Sequence, residues 1–368
     1  TIDPLSVFFW AATAYVFWRT RHSDTIALWI GVGLLIGIGA LAKYTNLALI
    51  PSLALYLLLT PPLRRHLIRG TFWAMIAAAL LCLVPVAIWN YRHDWITIAH
   101  LLNRGALDRP WRFSPGELLA FLGGQAAVYF PPFFAGLTIG IFTGGPRDAS
   151  KADPGAFAYL LCLFAPLFLF YLVLAVNSSG EANWTAPAFI GGVILLTATW
   201  YHRSRTSRPA AVASRWSLGL AAAFTVAFLA AVDVRLPTER DPFYRIHGWR
   251  SLAGQVADAA AEHNVTFIIG DGYQTASLLS FYLDGGYSVF DIRTPGIANQ
   301  FSFWPSYTES FTGKDAVFVS TSATPHRLLR AQFESVGPAL EAPALHRGNP
   351  VRPFYLHVCR NLTRHGGD

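Results

Sequence analysis

The sequence predicts a polytopic α-helical membrane protein with a small C-terminal α/β domain. Apolar residues make up 53% of the chain and charged residues only 13%, whereas about a quarter of the residues in a soluble domain are charged. Apolar runs of the length that crosses a bilayer recur through residues 1–233. From residue 234 onward the apolar runs shorten to strand length and charged residues become frequent. These three observations together define the predicted class.

About eight apolar segments are candidates for membrane-spanning helices, because a helix needs about 20 residues to cross the hydrocarbon. We predict transmembrane helices at residues 5–18, 26–42, 46–59, 70–89, 118–142, 157–176, 186–201 and 218–232. The first and third segments are short, and the third contains Pro51, so a re-entrant or tilted hairpin stays open there. Gly33 and Gly37, like Gly136 and Gly140, lie one helical turn apart, and we expect both pairs to let neighbouring helices approach closely.

The distribution of Lys and Arg predicts the orientation, because short loops rich in these residues stay on the cytoplasmic side. One set of alternate loops holds Arg19, Arg21, Arg64, Arg65, Arg69, Arg147, Lys151, Arg203, Arg205, Arg208 and Arg215. The other set holds only Lys43, Arg92, Arg104, Arg109 and Arg112. We therefore place the Lys43 turn, the loops at 90–117 and 177–185, and residues 234–368 on the outer side. This topology explains the net charge of +7 without a nucleic-acid partner.

Residues 234–368 are predicted to form a separate domain in which strands and helices alternate. Helices are expected at residues 249–263 and 275–282, and strands at 265–270, 288–292, 315–320 and 354–359. This order suggests a small α/β sandwich on the outer membrane surface. Asp271 follows the first strand in a Gly-Asp-Gly-Tyr turn and is a candidate ligand-binding residue, although a strand-to-helix connection alone would explain that turn.

Lys43 is the strongest single candidate for function. It ends one long apolar run and is followed almost at once by another, and a charge at membrane depth is unfavourable unless it meets a partner, a cavity or a substrate. Lys43 either snorkels to the interface or holds an anionic lipid phosphate. Asp3 precedes Pro4 at the start of the first apolar run, where ordinary capping of a helix would also explain it.

Further candidates lie at two other outer helix ends. Asn90, Arg92 and His93 lie in a tryptophan-rich segment; an aromatic belt accounts for the tryptophans, whereas a guanidinium suits phosphate oxygens. Glu181 and Asn183 lie in a short outer loop and are candidates for substrate binding. Glu181 is the loop's one acidic residue and a candidate for binding sugar hydroxyls, although a solvated carboxylate is the commoner case. The three cysteines are too few for a disulfide framework, and no His/Cys cluster has the spacing of metal ligands.

Several motifs spread along nearly the whole chain carry a family resemblance. They are Thr1-Ile2-Asp3-Pro4, Gly33-x3-Gly37-x3-Leu41-Ala42-Lys43-Tyr44 followed by Pro51, Trp89-Asn90-x-Arg92-His93-x-Trp95, Glu181-x-Asn183-Trp184-x-Ala186-Pro187-Ala188, Gly248-Trp249 and residues 276–282. In this order and spacing they resemble the bacterial members of the dolichyl-phosphate-mannose protein mannosyltransferase superfamily, which are multi-spanning glycosyltransferases of the C-type fold.

The resemblance implies a function. Such enzymes are similar to the aminoarabinose transferase that modifies lipid A, and they lie in the bacterial inner membrane. At the outer face of that membrane they take a sugar from a polyprenyl phosphate and pass it to an envelope lipid, glycan or protein. The configuration of the anomeric carbon is inverted in this transfer. A carboxylate base deprotonates the acceptor and cations stabilise the leaving phosphate. By position, Asp3 matches the helix-opening aspartate. Lys43, with Tyr44 beside it, matches the lysine near the donor phosphate, and Arg92 and His93 border the same cavity. No cofactor is implied, and a divalent cation stays open.

The chain departs from the family pattern in one respect. The family's adjacent acidic pair, Asp-Glu or Asp-Asp in the first outer loop, does not occur in the outer loops here. We expect that pair upstream of Thr1 and therefore expect these 368 residues alone to be inactive. Two alternatives stay open. A transporter or flippase for polyprenyl-linked sugars would need polar residues at the midplane of several helices, and the chain has almost none. A non-catalytic envelope protein would bind a partner through the α/β domain.

Overall fold

A computed structural model gives the fold of the chain and describes residues 2–143, 155–178, 180–232, 243–283, 285–293 and 299–363. Its internal contacts divide the chain into two compact units, Thr1–Val226 and Ala227–Asp368. In the described residues the first unit is built from helices, and the strands lie in the second.

Eleven α-helices begin in the described part of the first unit. They are α1 (Asp3–Thr20), α2 (Ile26–Ala42), α3 (Leu49–Leu59), α4 (Gly70–Cys82), α5 (Val84–Arg92), α6 (Ile96–Arg104), α7 (Pro115–Val128), α8 (Pro131–Phe142), α9 (Ala156–Asn177), α10 (Ala188–Thr206) and α11 (Arg208–Ala231). Short 3-10 helices lie at Tyr44–Ala48, Pro61–Ile68 and Ala182–Thr185. Aromatic side chains, among them Trp10, Phe17, Trp29 and Tyr56, are fully buried in the core of this unit.

Prolines break two of the helices that were predicted as continuous. The predicted helix at 70–89 is not continuous: α4 and α5 meet at an angle of 45° where Pro85 cannot donate a helical hydrogen bond. The predicted helix at 118–142 is likewise divided, into α7 and α8. Between α7 and α8 the chain bends by 107°, Phe130 has a positive φ of 64°, and Pro131 begins the second helix. Hydrophobicity alone does not reveal such breaks.

Two helices in the described ranges, α9 and α11, are long and apolar enough to cross a membrane, and the number rises to four if each bent pair forms one span. A multi-spanning helical protein is therefore supported, whereas eight crossings stay a prediction. Two further boundaries differ from those predicted. The segment predicted as one helix at 46–59 is a 3-10 turn, Tyr44–Ala48, followed by α3, and α11 begins at Arg208, ten residues before the predicted start.

Small residues let α2 and α4 pack in direct contact, as predicted. A Cβ atom added at Gly33 would lie 2.1 Å from the carbonyl oxygen of Met75, and one added at Gly37 would lie 2.7 Å from another backbone carbonyl of α4. No side chain fits at such distances, so the glycines determine how close the two helices lie. The close approach predicted at Gly136 and Gly140 is also confirmed, against α10.

The second unit is a small α/β domain, as predicted. Its described elements are α12 (Trp249–Glu262), β1 (Phe267–Gly270), α13 (Tyr273–Tyr282), β2 (Ser288–Asp291), α14 (Gln300–Phe303), α15 (Tyr307–Ser310), β3 (Ala316–Ser320), α16 (Arg327–Gln332), β4 (Phe333–Val336), β5 (Leu340–Glu341), β6 (Ala344–His346), β7 (Asn349–Arg352) and β8 (Tyr355–Leu362). The strand order is β2-β1-β3-β8-β4. β1 runs parallel to β2 and β3, whereas β8 is antiparallel to β3, β4 and β5, and β6 pairs with β7.

Candidate functional site

Lys43 lies at a break in the helical path. α2 ends at Ala42, and Lys43 has an extended backbone, with φ of −156° and ψ of 124°, before the next 3-10 helix begins at Tyr44. Its amide N–H still donates to the carbonyl of Gly39 at 3.0 Å, so the backbone stays tied to the end of α2. The Lys43 side chain is only 15% exposed. An ammonium group in such a place needs a close partner, because desolvation of a charge is unfavourable.

Asp3 is that partner. The Nζ atom of Lys43 lies 2.6 Å from Oδ1 of Asp3, and Nδ2 of Asn183 donates to Oδ2 of the same carboxylate at 3.0 Å. Lys43 and Asn183 are 40 and 180 positions away from Asp3 in the chain, so the tertiary fold brings the three residues together. The Asp3 side chain is 28% exposed, which leaves this group, the Asp3–Lys43–Asn183 cluster, accessible from outside the protein.

The position of Asp3 differs from that of a capping residue. Ile2 is the N-cap of α1, Asp3 is the first residue of the helix, and no side-chain hydrogen bond caps the helix. Pro4 follows in the first turn, where a missing N–H removes no helical hydrogen bond. A carboxylate in the first turn also interacts favourably with the helix dipole. Capping therefore does not account for Asp3, and its described contacts go to Lys43 and Asn183.

A buried asparagine supports the cluster. Asn46 is fully buried, and its Nδ2 donates to Oγ of Ser6 at 2.7 Å and to the carbonyl of Lys43 at 3.3 Å. Gly39 makes room for it, because a Cβ atom there would lie 3.0 Å from Cγ of Asn46 and 2.8 Å from Cβ of Phe9. These contacts join the first turns of α1 to the Lys43 turn. Sequence reasoning missed Asn46, although a polar residue that opens an apolar run was a usable signal.

The loop that carries Asn183 is fixed to α7. Gln125 is fully buried, accepts a hydrogen bond from Oγ1 of Thr185 at 2.7 Å, and donates to the carbonyl of Ala182 at 3.2 Å. Thr185 is fully buried as well. Asn183 lies between these two anchored residues, with its own side chain exposed. The loop therefore holds the amide group of Asn183 close to Asp3.

The segment from Asn90 to His93 makes local contacts. Asn90 is 4% exposed, and its Oδ1 accepts from the amide of Thr97 at 3.2 Å, which joins α5 to α6. The His93 ring stacks on Trp89 with the ring centroids 4.2 Å apart, and its Nδ1 lies 2.7 Å from the Trp89 carbonyl oxygen. The Arg92 side chain is exposed and, within the described part of the chain, makes no hydrogen bond or ion pair. No described contact joins these residues to the Asp3–Lys43–Asn183 cluster.

Glu181 and Tyr44 are the remaining predicted site residues. Oε1 of Glu181 lies 3.8 Å from a guanidinium nitrogen of Arg104, and both side chains are more than half exposed, so this ion pair contributes little stability. The same guanidinium lies 5.7 Å from the centre of the Trp184 ring. Tyr44 follows Lys43 directly and is half-buried. Among the predicted residues, the described contacts thus bring together Asp3, Lys43 and Asn183.

A second charged cluster lies in the loops after α1 and α3. Oδ1 of Asp24 lies 2.5 Å from a guanidinium nitrogen of Arg69 and 3.7 Å from one of Arg65. The hydrogen bond from Arg69 holds the pKa of Asp24 below its ordinary value. His66 is fully buried beside Asp24, its ring centroid lies 4.9 Å from that of Trp29, and burial lowers its pKa. His66 is therefore expected to be neutral at pH 7.

Asp271 and Asp291 of the second unit have structural partners. Asp271 accepts hydrogen bonds from Oγ1 of Thr275 at 2.7 Å and from the amide of Thr321 at 2.9 Å, so it joins the end of β1 to α13 and to the segment after β3. Asp291, at the end of β2, accepts from Nδ2 of Asn299 at 3.0 Å, and burial raises the pKa of its carboxyl group. These contacts support the interpretation of the Asp271 turn as a strand-to-helix connection.

The Asp3–Lys43–Asn183 cluster has the chemistry of an anion site. An ammonium group has three N–H donors, and the hydrogen bond to Asp3 uses one of them. The others are available to phosphate oxygens, and such charge-assisted hydrogen bonds are among the strong ones. In the ranges that the structure describes, no group of three or more His, Cys, Asp or Glu side chains could hold a metal ion.

Two similarities to known proteins bear on this cluster. Residues 1–89, which include Asp3 and Lys43, match the family described as dolichyl-phosphate-mannose-protein mannosyltransferase. The chain is also 24% identical, over 351 residues, to the lipid A galacturonosyltransferase RgtD of Rhizobium johnstonii, and the match covers 89% of this chain and 68% of that protein. No solved structure matches the chain. The two matches confirm the resemblance that the motifs predicted: the chain is similar to bacterial glycosyltransferases of the dolichyl-phosphate-mannose-protein mannosyltransferase type.

Proposed function

We propose that this protein is an inverting glycosyltransferase that moves a sugar from a polyprenyl-phosphate donor to an envelope lipid, glycan or protein at the outer face of the bacterial inner membrane. The observation that carries the proposal is the Lys43 ammonium, held 2.6 Å from Asp3 within the part of the chain that matches the family. The name of the relative RgtD, a lipid A galacturonosyltransferase, supports the reaction class and an acceptor in the cell envelope.

In the proposed reaction Lys43 binds the phosphate of the donor. The acceptor hydroxyl attacks the anomeric carbon from the face opposite the phosphate and gives its proton to a carboxylate base. The bond between the anomeric carbon and the phosphate oxygen breaks, and the polyprenyl phosphate leaves with the electron pair. Negative charge on that oxygen grows in the transition state, so an ammonium group already in place lowers the barrier. The configuration of the sugar is inverted.

Asp3 is a positioning residue in this proposal. Both of its oxygens already accept hydrogen bonds, from Lys43 and from Asn183. The hydrogen bond from Asn183 holds the Asp3 carboxylate, and the carboxylate orients the Lys43 ammonium group before the donor arrives. Such preorganisation avoids a rearrangement during the reaction. Arg92 is exposed and supplies a second cation for the leaving phosphate in the proposed complex. We further propose that domain 234–368 lies outside the cytoplasm.

Donor binding tests the role of Lys43. The purified chain in detergent is titrated with a polyprenyl phosphate, and the Kd is measured for the parent, for Lys43→Gln and for Lys314→Gln. Lys314 is an exposed lysine of the second unit and serves as the matched control. Loss of a charge-assisted hydrogen bond of about 2 kcal/mol should weaken binding about 30-fold in Lys43→Gln. Equal affinity of Lys43→Gln and the parent would overturn the proposed site.

Product analysis in the cells that produce the protein tests the reaction class. Lys43→Gln is introduced into the chromosomal gene, and envelope glycolipids and glycans are compared by mass spectrometry and NMR. We expect the envelope of the Lys43→Gln strain to lack one sugar that the parent strain carries. In the parent strain that sugar should be linked with the anomeric configuration opposite to that of the donor. A retained configuration would exclude inversion. Movement of the intact lipid-linked sugar across the membrane, without a new glycosidic bond, would support a flippase instead.

A further inference from the structure

A large apolar cavity lies between α8, α10 and α11. Its volume is about 620 Å³, which falls in the range of about 300–1,000 Å³ that ligand pockets occupy. Phe133, Leu137, Leu196 and Leu218 are among the side chains that line it, and no residue of the Asp3–Lys43–Asn183 cluster does. The cavity is therefore a separate feature from the proposed catalytic site.

The cavity is long enough for a lipid chain. Along α10 its lining residues extend from Phe189 to Arg205, which corresponds to about 24 Å at the helical rise of 1.5 Å per residue. One leaflet contributes about half of the 30 Å hydrocarbon core of a bilayer, or about 15 Å. An acyl chain of one leaflet therefore fits along this wall.

The cavity becomes polar at the turn between α10 and α11. Ser204 and Arg205 line it from α10, and Ser214 and Arg215 line it from α11. The sequence has no Asp or Glu between residues 182 and 232. In the part of the chain that the structure describes, neither arginine makes an ion pair, and the described hydrogen bond of Arg205 goes to the hydroxyl of a neighbouring tyrosine. This end of the cavity thus presents two positive charges and two hydroxyl groups.

α11 forms one wall of the cavity and is itself little covered by the rest of the protein. It is apolar and long enough to cross a membrane, yet none of its described residues is buried by the protein. Arg215 lies seven residues, about 10 Å along the axis, after the first residue of α11. A guanidinium group beside an apolar cavity is stabilised by an anionic partner, and the sequence supplies no Asp or Glu between residues 182 and 232. An anionic lipid headgroup would supply that negative charge.

We propose that this cavity binds an anionic phospholipid from the leaflet that meets the turn between α10 and α11. The phosphate lies between Arg205 and Arg215, whose guanidinium groups suit phosphate oxygens, and one acyl chain follows the apolar wall of α10. Basic pockets between transmembrane helices bind anionic headgroups for the same reason. The lipid fills the space that protein side chains leave between α10 and α11. This binding requires no sugar transfer and is independent of the proposed reaction.

Lipid titrations monitored by native mass spectrometry test the proposal with the purified full chain. Phosphatidylglycerol and phosphatidylcholine with the same acyl chains are compared. Phosphatidylglycerol should bind more tightly, and Arg215→Gln should weaken it about fivefold, as expected for about 1 kcal/mol per cation. Arg208→Gln is the matched control, because Arg208 is an exposed arginine of the same helix that does not line the cavity. It should leave the affinity within twofold of the parent.

A second pair of variants tests the apolar part. Ala211 lines the cavity and Ala213 is exposed outside it, so Ala211→Trp should abolish phosphatidylglycerol binding and Ala213→Trp should not. Equal affinities for the two phospholipids, or equal effects of the two arginine variants, would overturn the proposal. Displacement of phosphatidylglycerol by a lower concentration of polyprenyl phosphate would also overturn it, because the occupant would then be the donor lipid.

Discussion

The contact between α2 and α4 can be tested at Gly33, with Gly31 of the same helix as the control. A Cβ atom at Gly33 would lie 2.1 Å from the Met75 carbonyl oxygen and 3.0 Å from Cβ of Ala78, whereas a Cβ atom at Gly31, in the same helix, would meet nothing within 4 Å. Gly33→Ala must therefore push α2 away from α4, and Gly31→Ala must not. The two variants add the same methyl group to the same helix, so a difference between them reports the contact itself.

The size of the effect follows from two opposing contributions. Alanine in place of glycine inside a helix stabilises it by up to about 1 kcal/mol, and this gain applies to both variants. Overpacking costs about 1–3 kcal/mol, and the upper end applies at Gly33 because the atom in the way belongs to the backbone of α4. We expect Gly33→Ala to lower the free energy of unfolding by about 2 kcal/mol, and Gly31→Ala to raise it by up to about 1 kcal/mol.

Reversible unfolding in mixed detergent micelles, followed by circular dichroism, measures both variants. Because α2 ends beside Lys43, Gly33→Ala should also weaken polyprenyl-phosphate binding, while Gly31→Ala should leave it unchanged. If Gly33→Ala is as stable as Gly31→Ala, α2 and α4 do not pack as closely as described. Gly33 would then not determine how close the two helices lie.

Three further predictions concern titration, thiol burial and the central ion pair. Burial lowers the pKa of His66, so below about pH 6.5 the unfolded state binds more protons than the folded state. The free energy of unfolding should therefore fall as the pH drops below that value, and His66→Gln should remove this part of the pH profile. Burial raises the pKa of Cys359 to about 12. With the other two cysteines changed to serine, maleimide should therefore label the folded chain about 1,000-fold more slowly at pH 8 than the chain in urea, because the thiolate is the reactive form. Asp3→Asn and Lys43→Gln should show a coupling energy of at least about 1 kcal/mol in a double-mutant cycle of unfolding, and additive effects would contradict the ion pair.

The sequence predicted the separate residues of the candidate site better than their arrangement. Lys43 and Asp3 were visible because a charge beside an apolar run is unusual. Their pairing was not visible, because it depends on close packing of α1 against α2 and the Lys43 turn, which Gly39 and Asn46 allow. Asn183 was predicted only as a substrate-binding candidate, and its hydrogen bond to Asp3 depends on a loop that Gln125 anchors from another helix.

In the fold, too, features set by local sequence were predictable, whereas breaks in the helices were not. The strands β1, β2, β3 and β8 were predictable because short runs of β-branched and aromatic residues favour strands. The helix breaks at Pro85 and Pro131 were missed, because the apolar pattern continues across both prolines and reports burial in lipid rather than backbone hydrogen bonding. The 3-10 turn at Tyr44 was missed for a related reason. The Asn46 side chain that stabilises it looks, in sequence, like the polar start of a transmembrane segment.

The ion pair distinguishes between the two interpretations of Lys43. A snorkelling lysine extends its stem along apolar surface and keeps its ammonium in water, whereas the Lys43 side chain is only 15% exposed and its ammonium lies 2.6 Å from a carboxylate. Such a pair is weak evidence for stability, because desolvation of both charges offsets much of their attraction, and an apolar pair of similar volume is often equally stable. Stability alone therefore does not explain why Asp3 and Lys43 are both charged. The proposed binding role does explain it, because a phosphate can share the ammonium group that Asp3 and Asn183 already hold in place.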